Sequence, residues 1–177
     1  MIKSRKYNTF VDPRDEQEYK VVKIGDQIWM AENLRFRMDS SIAYNHIEKN
    51  VAKYGLLYSR SCCNHIAPNG WHLPSMVEFK QLQKFAEENS NVRSVDSLLS
   101  TEWQKSHNKG TDEFGFSALP AGYSCAQGIC HGLEKYTAFW TTDGTDVLGE
   151  FYDIGPFNYD ELGDSFVGYV SVRLIKD

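Results

Sequence analysis

Hydrophobic and polar positions first organise around a Gly-Asp pair. Tyr19-Lys-Val-Val-Lys-Ile24 and Gln27-Ile-Trp-Met30 flank Gly25-Asp26. A two-residue turn between two β-prone runs predicts a hairpin. Asp12-Pro13-Arg14-Asp15, just before it, is a turn cluster. Residues 35–53 show no period and read as loop or short helix, and Tyr54-Gly-Leu-Leu-Tyr58 reads as a short strand. The period then becomes helical, with Phe79, Leu82, Phe85 and Ala86 recurring at three- and four-residue spacing. Ser75-Met-Val-Glu78 heads that run and matches a capping box, in which the Ser and Glu side chains satisfy free backbone N–H groups reciprocally. A helix over 76–88 with one buried face follows, then a shorter one over 95–100. Residues 114–119, 136–142 and 168–175 read as strands, the last β-branched and buried. Strands, two helices, then strands give an α+β fold.

Composition narrows the partners. The chain has 177 residues, enough for one domain with a real core. Aromatic residues at 14% support a β-rich architecture over a helical bundle. A net charge of −5 leaves no electrostatic basis for a nucleic-acid partner. The one basic cluster, Lys3-Ser-Arg-Lys6, sits at the terminus. No apolar run is long enough for a membrane span, and the first residues lack the apolar core of a secretory signal. These features leave the compartment open. Of the four cysteines, Cys62 and Cys63 are adjacent, and one of them can face Cys125 or Cys130; free buried thiols fit equally well.

Six stretches, "DPRDEQEYKVVKIGDQIWMAENL", "YGLLYS", "GWHLPSMVEF", "FGFSALPAGY", "FWTT" and "SVRLIKD", follow one another in order. Together they resemble the Fibrobacter succinogenes major paralogous domain over residues 12–177, which leaves 1–11 as an N-terminal extension. The resemblance implies a C-type lectin-like fold: two helices, a small sheet that pairs the chain's two ends, and a second, irregular sheet bearing long loops. It also implies an exported or cell-surface protein, and by analogy with lectin-like domains a binding role for the loops of the second half. Ala67 and Leu174 stand where that family often has cysteines, so this chain lacks both together.

Candidate chemistry is sparse. His72 is flanked by Trp71 and Leu73 and no ligand-type residue follows at metal spacing, so a core-facing imidazole donating one hydrogen bond is expected. Trp29, Trp71 and Trp140 are expected in the core. Cys125-Ala-Gln-Gly-Ile-Cys130 is the enzymatic alternative: a spaced thiol pair can hold copper or do redox work, and His131 adjoins it. The formylglycine-generating enzymes of the lectin-like superfold use cysteines at this spacing, but their Arg-Gly-Gly-Ser motif is only echoed by Ala121-Gly-Tyr-Ser124. Residues 141–165 carry seven carboxylates and no Lys or Arg, together with several aromatics. A solvated acidic loop, a Ca²⁺ site and a recognition surface all fit this composition. The lectin Glu-Pro-Asn and Trp-Asn-Asp motifs are missing and no cofactor is required. The preferred reading is a non-catalytic module for a glycan or protein partner, contacting it through Tyr152, Phe157, Asn158, Tyr159 and Asp160, with Tyr123 and Tyr136. A purely structural surface or adhesin component is the third reading.

Overall fold

The computed structural model describes residues 7–103, 109–149 and 168–177. The predicted hairpin is present as β2 (Glu18–Ile24) and β3 (Gln27–Met30), with Ile24 opposite Gln27 across the Gly25-Asp26 turn. Gly25 takes a φ of 58°, the left-handed conformation that a two-residue hairpin turn demands. β1 (Asn8–Val11) adds to the outer edge of β2, so part of the segment set aside as an extension belongs to the sheet. β12 (Ile175–Lys176) pairs with β3 on one side and β6 (Trp71–His72) on the other. The first sheet is therefore ordered β1-β2-β3-β12-β6 and joins the two ends of the chain.

The second sheet is ordered β4-β5-β11-β7-β8 and is made of two- and three-residue strands: β4 (Ser41–Ile42), β5 (Leu57–Ser59), β7 (Tyr123–Ser124), β8 (Cys130–His131) and β11 (Tyr169–Val170). β9 (Tyr136–Thr141) and β10 (Gly144–Gly149) form a separate antiparallel hairpin. Between β4 and β5 the unpatterned region holds short 3-10 turns and α1 (Val51–Tyr54). All strand pairs within these sheets are antiparallel.

α2 runs Met76–Asn89 and starts on the predicted capping box: Ser75 Oγ accepts from Glu78 N, and Glu78 Oε2 accepts from Ser75 N at 2.7 Å. It buries Phe79, Leu82 and Ala86 against Trp29, Phe116 and Phe139, with Trp29 and Phe79 ring centroids 5.0 Å apart. α3 spans Ser94–Leu98. A second cluster, around Tyr19, Tyr58, Trp71, Trp140 and Val170, fills the space on the side of the irregular sheet. Trp29, Trp71 and Trp140 are all core, as expected, and so is Trp103.

Two strands expected from apolar runs have other forms. Residues 114–119 carry left-handed φ values at Gly115 and Ser117, which break a ladder, and only an isolated bridge from Ala118 to Leu99 remains. Residues 168–175 are buried from Val170 to Ile175, but they form two short strands in different sheets. Between them the backbone bonds go elsewhere: Ser171 O accepts from Trp140 N, Val172 O from Leu34 N, and Leu174 O from Met30 N. This stretch is the seam between the two sheets.

Candidate functional site

The motif residues converge on that seam. Arg173 is fully buried, and its guanidinium lies over the Phe116 and Phe139 rings. Nε donates to Asn33 Oδ1 at 2.7 Å, Nη1 to the carbonyls of Met30 (3.1 Å) and Phe116, and Nη2 to Ser117 O at 2.9 Å. Asn33, also buried, donates in turn to Tyr54 O at 2.8 Å and Ser171 Oγ at 3.2 Å. Burial pulls the Arg173 pKa down to about 9, with Asp112 and Glu32 working against it. Four of the five N–H donors are used in a fully buried polar knot, which reads as structure and not as a substrate contact. Sequence reasoning passed over Arg173; the signal was a lone cation inside a β-branched run.

His72 is also structural, though not as expected. It is half-exposed, not core-facing, and both ring nitrogens are engaged: Nδ1 with Asp177 Oδ1 at 2.6 Å and Nε2 with Glu78 Oε1 at 2.9 Å. Strand alternation explains the outcome, since neighbouring Trp71 points into the core and His72 must point out. Burial lowers its pKa, but the hydrogen bonds and charges of Glu78 and Asp177 outweigh that and hold it above the usual histidine value.

Of the seven carboxylates in 141–165, Asp143 is committed to structure. Its Oδ2 accepts from Met76 N at 2.9 Å, Thr142 N donates to Pro74 O, and Arg60 clamps the carbonyls of Thr141 and Thr142. The turn between β9 and β10 is thereby fastened to the start of α2. Among the described residues no group of three or more His, Cys, Asp or Glu side chains is arranged to hold a metal.

All four cysteines are free thiols, and burial pushes Cys63 up to about 11. β7 and β8 form a tight hairpin, with Tyr123 opposite His131, Ser124 opposite Cys130, and Cys125 N bonded to Ile129 O. A two-residue period puts Ser124 and Cys130 on one face, and Tyr123, Cys125, Ile129 and His131 on the other. Cys130 Sγ accepts from Asn45 N at 3.1 Å. The two cysteines of the spaced pair thus point away from each other.

The outward face of this hairpin is the best candidate for recognition. Tyr123 packs on His131 with ring centroids 5.5 Å apart, and Ile129 is 61% exposed. Tyr136 lies alongside: its carbonyl accepts from Gly122 N at 2.8 Å, and its ring covers Gly132, where a Cβ would fall 2.1 Å from Cδ2. Burial raises the Tyr123 pKa, and the nearby Tyr136, Cys125 and Tyr44 add to it. Gly122 is required here: its φ is 69°, and a Cβ would meet His131 O at 2.5 Å and the Tyr44 ring at 2.6 Å. Of the proposed contact residues, the structure brings Tyr123 and Tyr136 together. Tyr152, Phe157, Asn158, Tyr159 and Asp160 lie outside the described residues. His131 and Ile129 share this face and were not among the candidate contacts; the alternation across the Ala126–Gly128 turn was the available signal.

The described residues thus define an α+β domain with two curled antiparallel sheets and an exposed aromatic hairpin. The chain belongs to the Fibrobacter succinogenes major domain family, whose profile matches residues 22–176. No curated protein and no solved structure matches it.

Proposed function

We propose that this domain is a non-catalytic binding module of C-type lectin-like fold that recognises a glycan or protein partner through the loops of its second half. The observation that carries the reading is the β7–β8 hairpin, where exposed His131 and Ile129 lie beside the partly buried Tyr123, which rests on the core, and Tyr136. Half-exposed tyrosines give large, rigid contact area and a hydroxyl at low entropic cost, which suits recognition better than catalysis. Position supports it too. Gly149 is opposite Tyr136, and Gly168 N donates to Ser124 O beside Tyr123. Tyr152, Phe157, Asn158, Tyr159 and Asp160 lie between those two glycines in sequence and are kept as contacts on their chemistry. The joined termini and the irregular second sheet support the lectin-like reading.

The test is a glycan array with and without chelator, run beside co-purification from the native host. Binding that is independent of Ca²⁺ is expected. Tyr123→Ala and Tyr136→Ala should each weaken it by about 2 kcal/mol, roughly thirtyfold, at a temperature where circular dichroism shows each variant folded. Binding indifferent to both substitutions would place recognition elsewhere and sink the proposal.

A further inference from the structure

The first sheet ends in β1, and the hydrogen bonds around β1 show which way its backbone faces. Phe10 anchors the strand: its ring packs on Trp71 with centroids 4.6 Å apart and rests on the core around Tyr19. Asp12 N donates to Gln17 O at 2.9 Å, which sets the phase of the β1–β2 ladder. Lys20, opposite Thr9, turns both backbone groups away from β1: its N–H donates to Glu32 Oε2 and its carbonyl accepts from Ala31 N. Glu18, opposite Val11, gives its carbonyl to Arg35 Nη2. Opposite residues of an antiparallel pair either bond to each other or turn away together, so Thr9 and Val11 point their N–H and C=O groups outward. No backbone hydrogen bond among the described residues meets them there. Native sheets guard such edges with lysine, proline or a bulge. Asn8–Val11 contains none of these, and Val11 is 49% exposed.

Charge selects the occupant. Asp15, Glu16 and Glu18 are exposed just beyond the C-terminal end of β1, and none of them forms an ion pair among the described residues. Lys3, Arg5 and Lys6 come just before β1 in sequence. A strand laid antiparallel on β1 carries the residues that precede it past these acids. A second copy of this chain brings its basic run to that place, and the two-fold axis repeats the match at the other end.

We infer that β1 is a self-association edge. Two copies pair antiparallel through it, Thr9 of each exchanging backbone bonds with Val11 of the other, and their first sheets become continuous. A pair of such short strands lies below the usual size of a stable interface, so the dimer is weak, with a Kd of about 100 µM.

Sedimentation velocity of the full chain, from about 10 µM to about 1 mM, tests this. A mass that rises from monomer to dimer is expected. Thr9→Pro removes an N–H that the β1–β2 ladder does not use, so it should weaken association about tenfold or more in a domain that circular dichroism shows folded. Glu16→Lys with Glu18→Lys should weaken it about tenfold, and adding Arg5→Glu with Lys6→Glu should restore it. The charge reversals at exposed Glu16 and Glu18 keep the test decisive if Thr9→Pro fails to fold. A monomer at every concentration overturns the inference. So does a dimer that Thr9→Pro leaves intact, or one indifferent to the charge reversals.

Discussion

Replacing Arg173 by Met keeps the length and apolar bulk of the side chain but removes its guanidinium donors. Four acceptors lose a bond: Asn33 Oδ1 and the carbonyls of Met30, Phe116 and Ser117. At about 1 kcal/mol for each bond lost in a buried site, the sum is roughly 4 kcal/mol. Variation in the cost of each lost bond widens this to roughly 3–5 kcal/mol. For a chain of this size each kcal/mol moves the melting temperature by about 2–4 °C, so a drop of about 6–20 °C is expected. Arg173→Lys should recover little of it, because an ammonium on a flexible stem cannot replace a planar fork that reaches two other segments at once. The assay is thermal and urea unfolding followed by circular dichroism. A melting temperature that falls by less than about 3 °C in Arg173→Met would mean that apolar packing replaces the knot, and the argument for its central role would fail.

Other outcomes are open to equally direct measurement. Ser75→Ala removes the cap of α2 and should cost about 1 kcal/mol in urea unfolding. The clasp of His72 with Glu78 makes stability pH-dependent from both sides. The His72 pKa is raised, so its contribution is complete below about 6.5 and is lost as pH climbs through the folded value; the Glu78 pKa is lowered, so its contribution is complete above about 4.5 and is lost as pH drops through the folded value. His72→Gln should flatten the stability profile on the alkaline side of that window, and an unchanged profile would count against the clasp. With its thiol pushed up to about 11, Cys63 should alkylate far more slowly at pH 8 than a free cysteine, as mass spectrometry of the labelled peptide would reveal.

How much of this could be read in advance depended on whether a feature was local. The β2–β3 hairpin and the capped α2 rest on contacts within a few residues, and both appear with the predicted turn and cap. Residues 114–119 and 168–175 rest on distant partners. An apolar run says that a segment is buried, but not that Phe116 O and Ser117 O serve Arg173 instead of a ladder. The same limit applied to the site. Tyr123 and Tyr136 are thirteen positions apart and are brought near each other by the backbone bond from Gly122 N to Tyr136 O, a long-range link. Cys125 and Cys130 look like a pair along the chain, and strand alternation turns them to opposite faces.

The six family stretches have a common physical role once their contacts are followed. Met30 and Asn33, Tyr54, Phe116 and Ser117, and Ser171 and Arg173 come from four of them and meet in one hydrogen-bonded knot. The stretch with Trp71 and His72 zips onto Ile175 and Lys176, and Trp140 donates to Tyr58 O at 2.6 Å. These residues are buried in keeping two irregular sheets together, a task that short strands cannot do through ladders alone. Such a signature specifies a fold and is silent about a ligand. Ile129, His131 and Tyr136 lie outside those stretches, and Tyr123 is the last residue of one. On the proposed reading, recognition varies without touching the knot, so Tyr123→Ala should alter binding in a domain that still folds, while Arg173→Met should lower stability and leave binding unchanged until the domain unfolds.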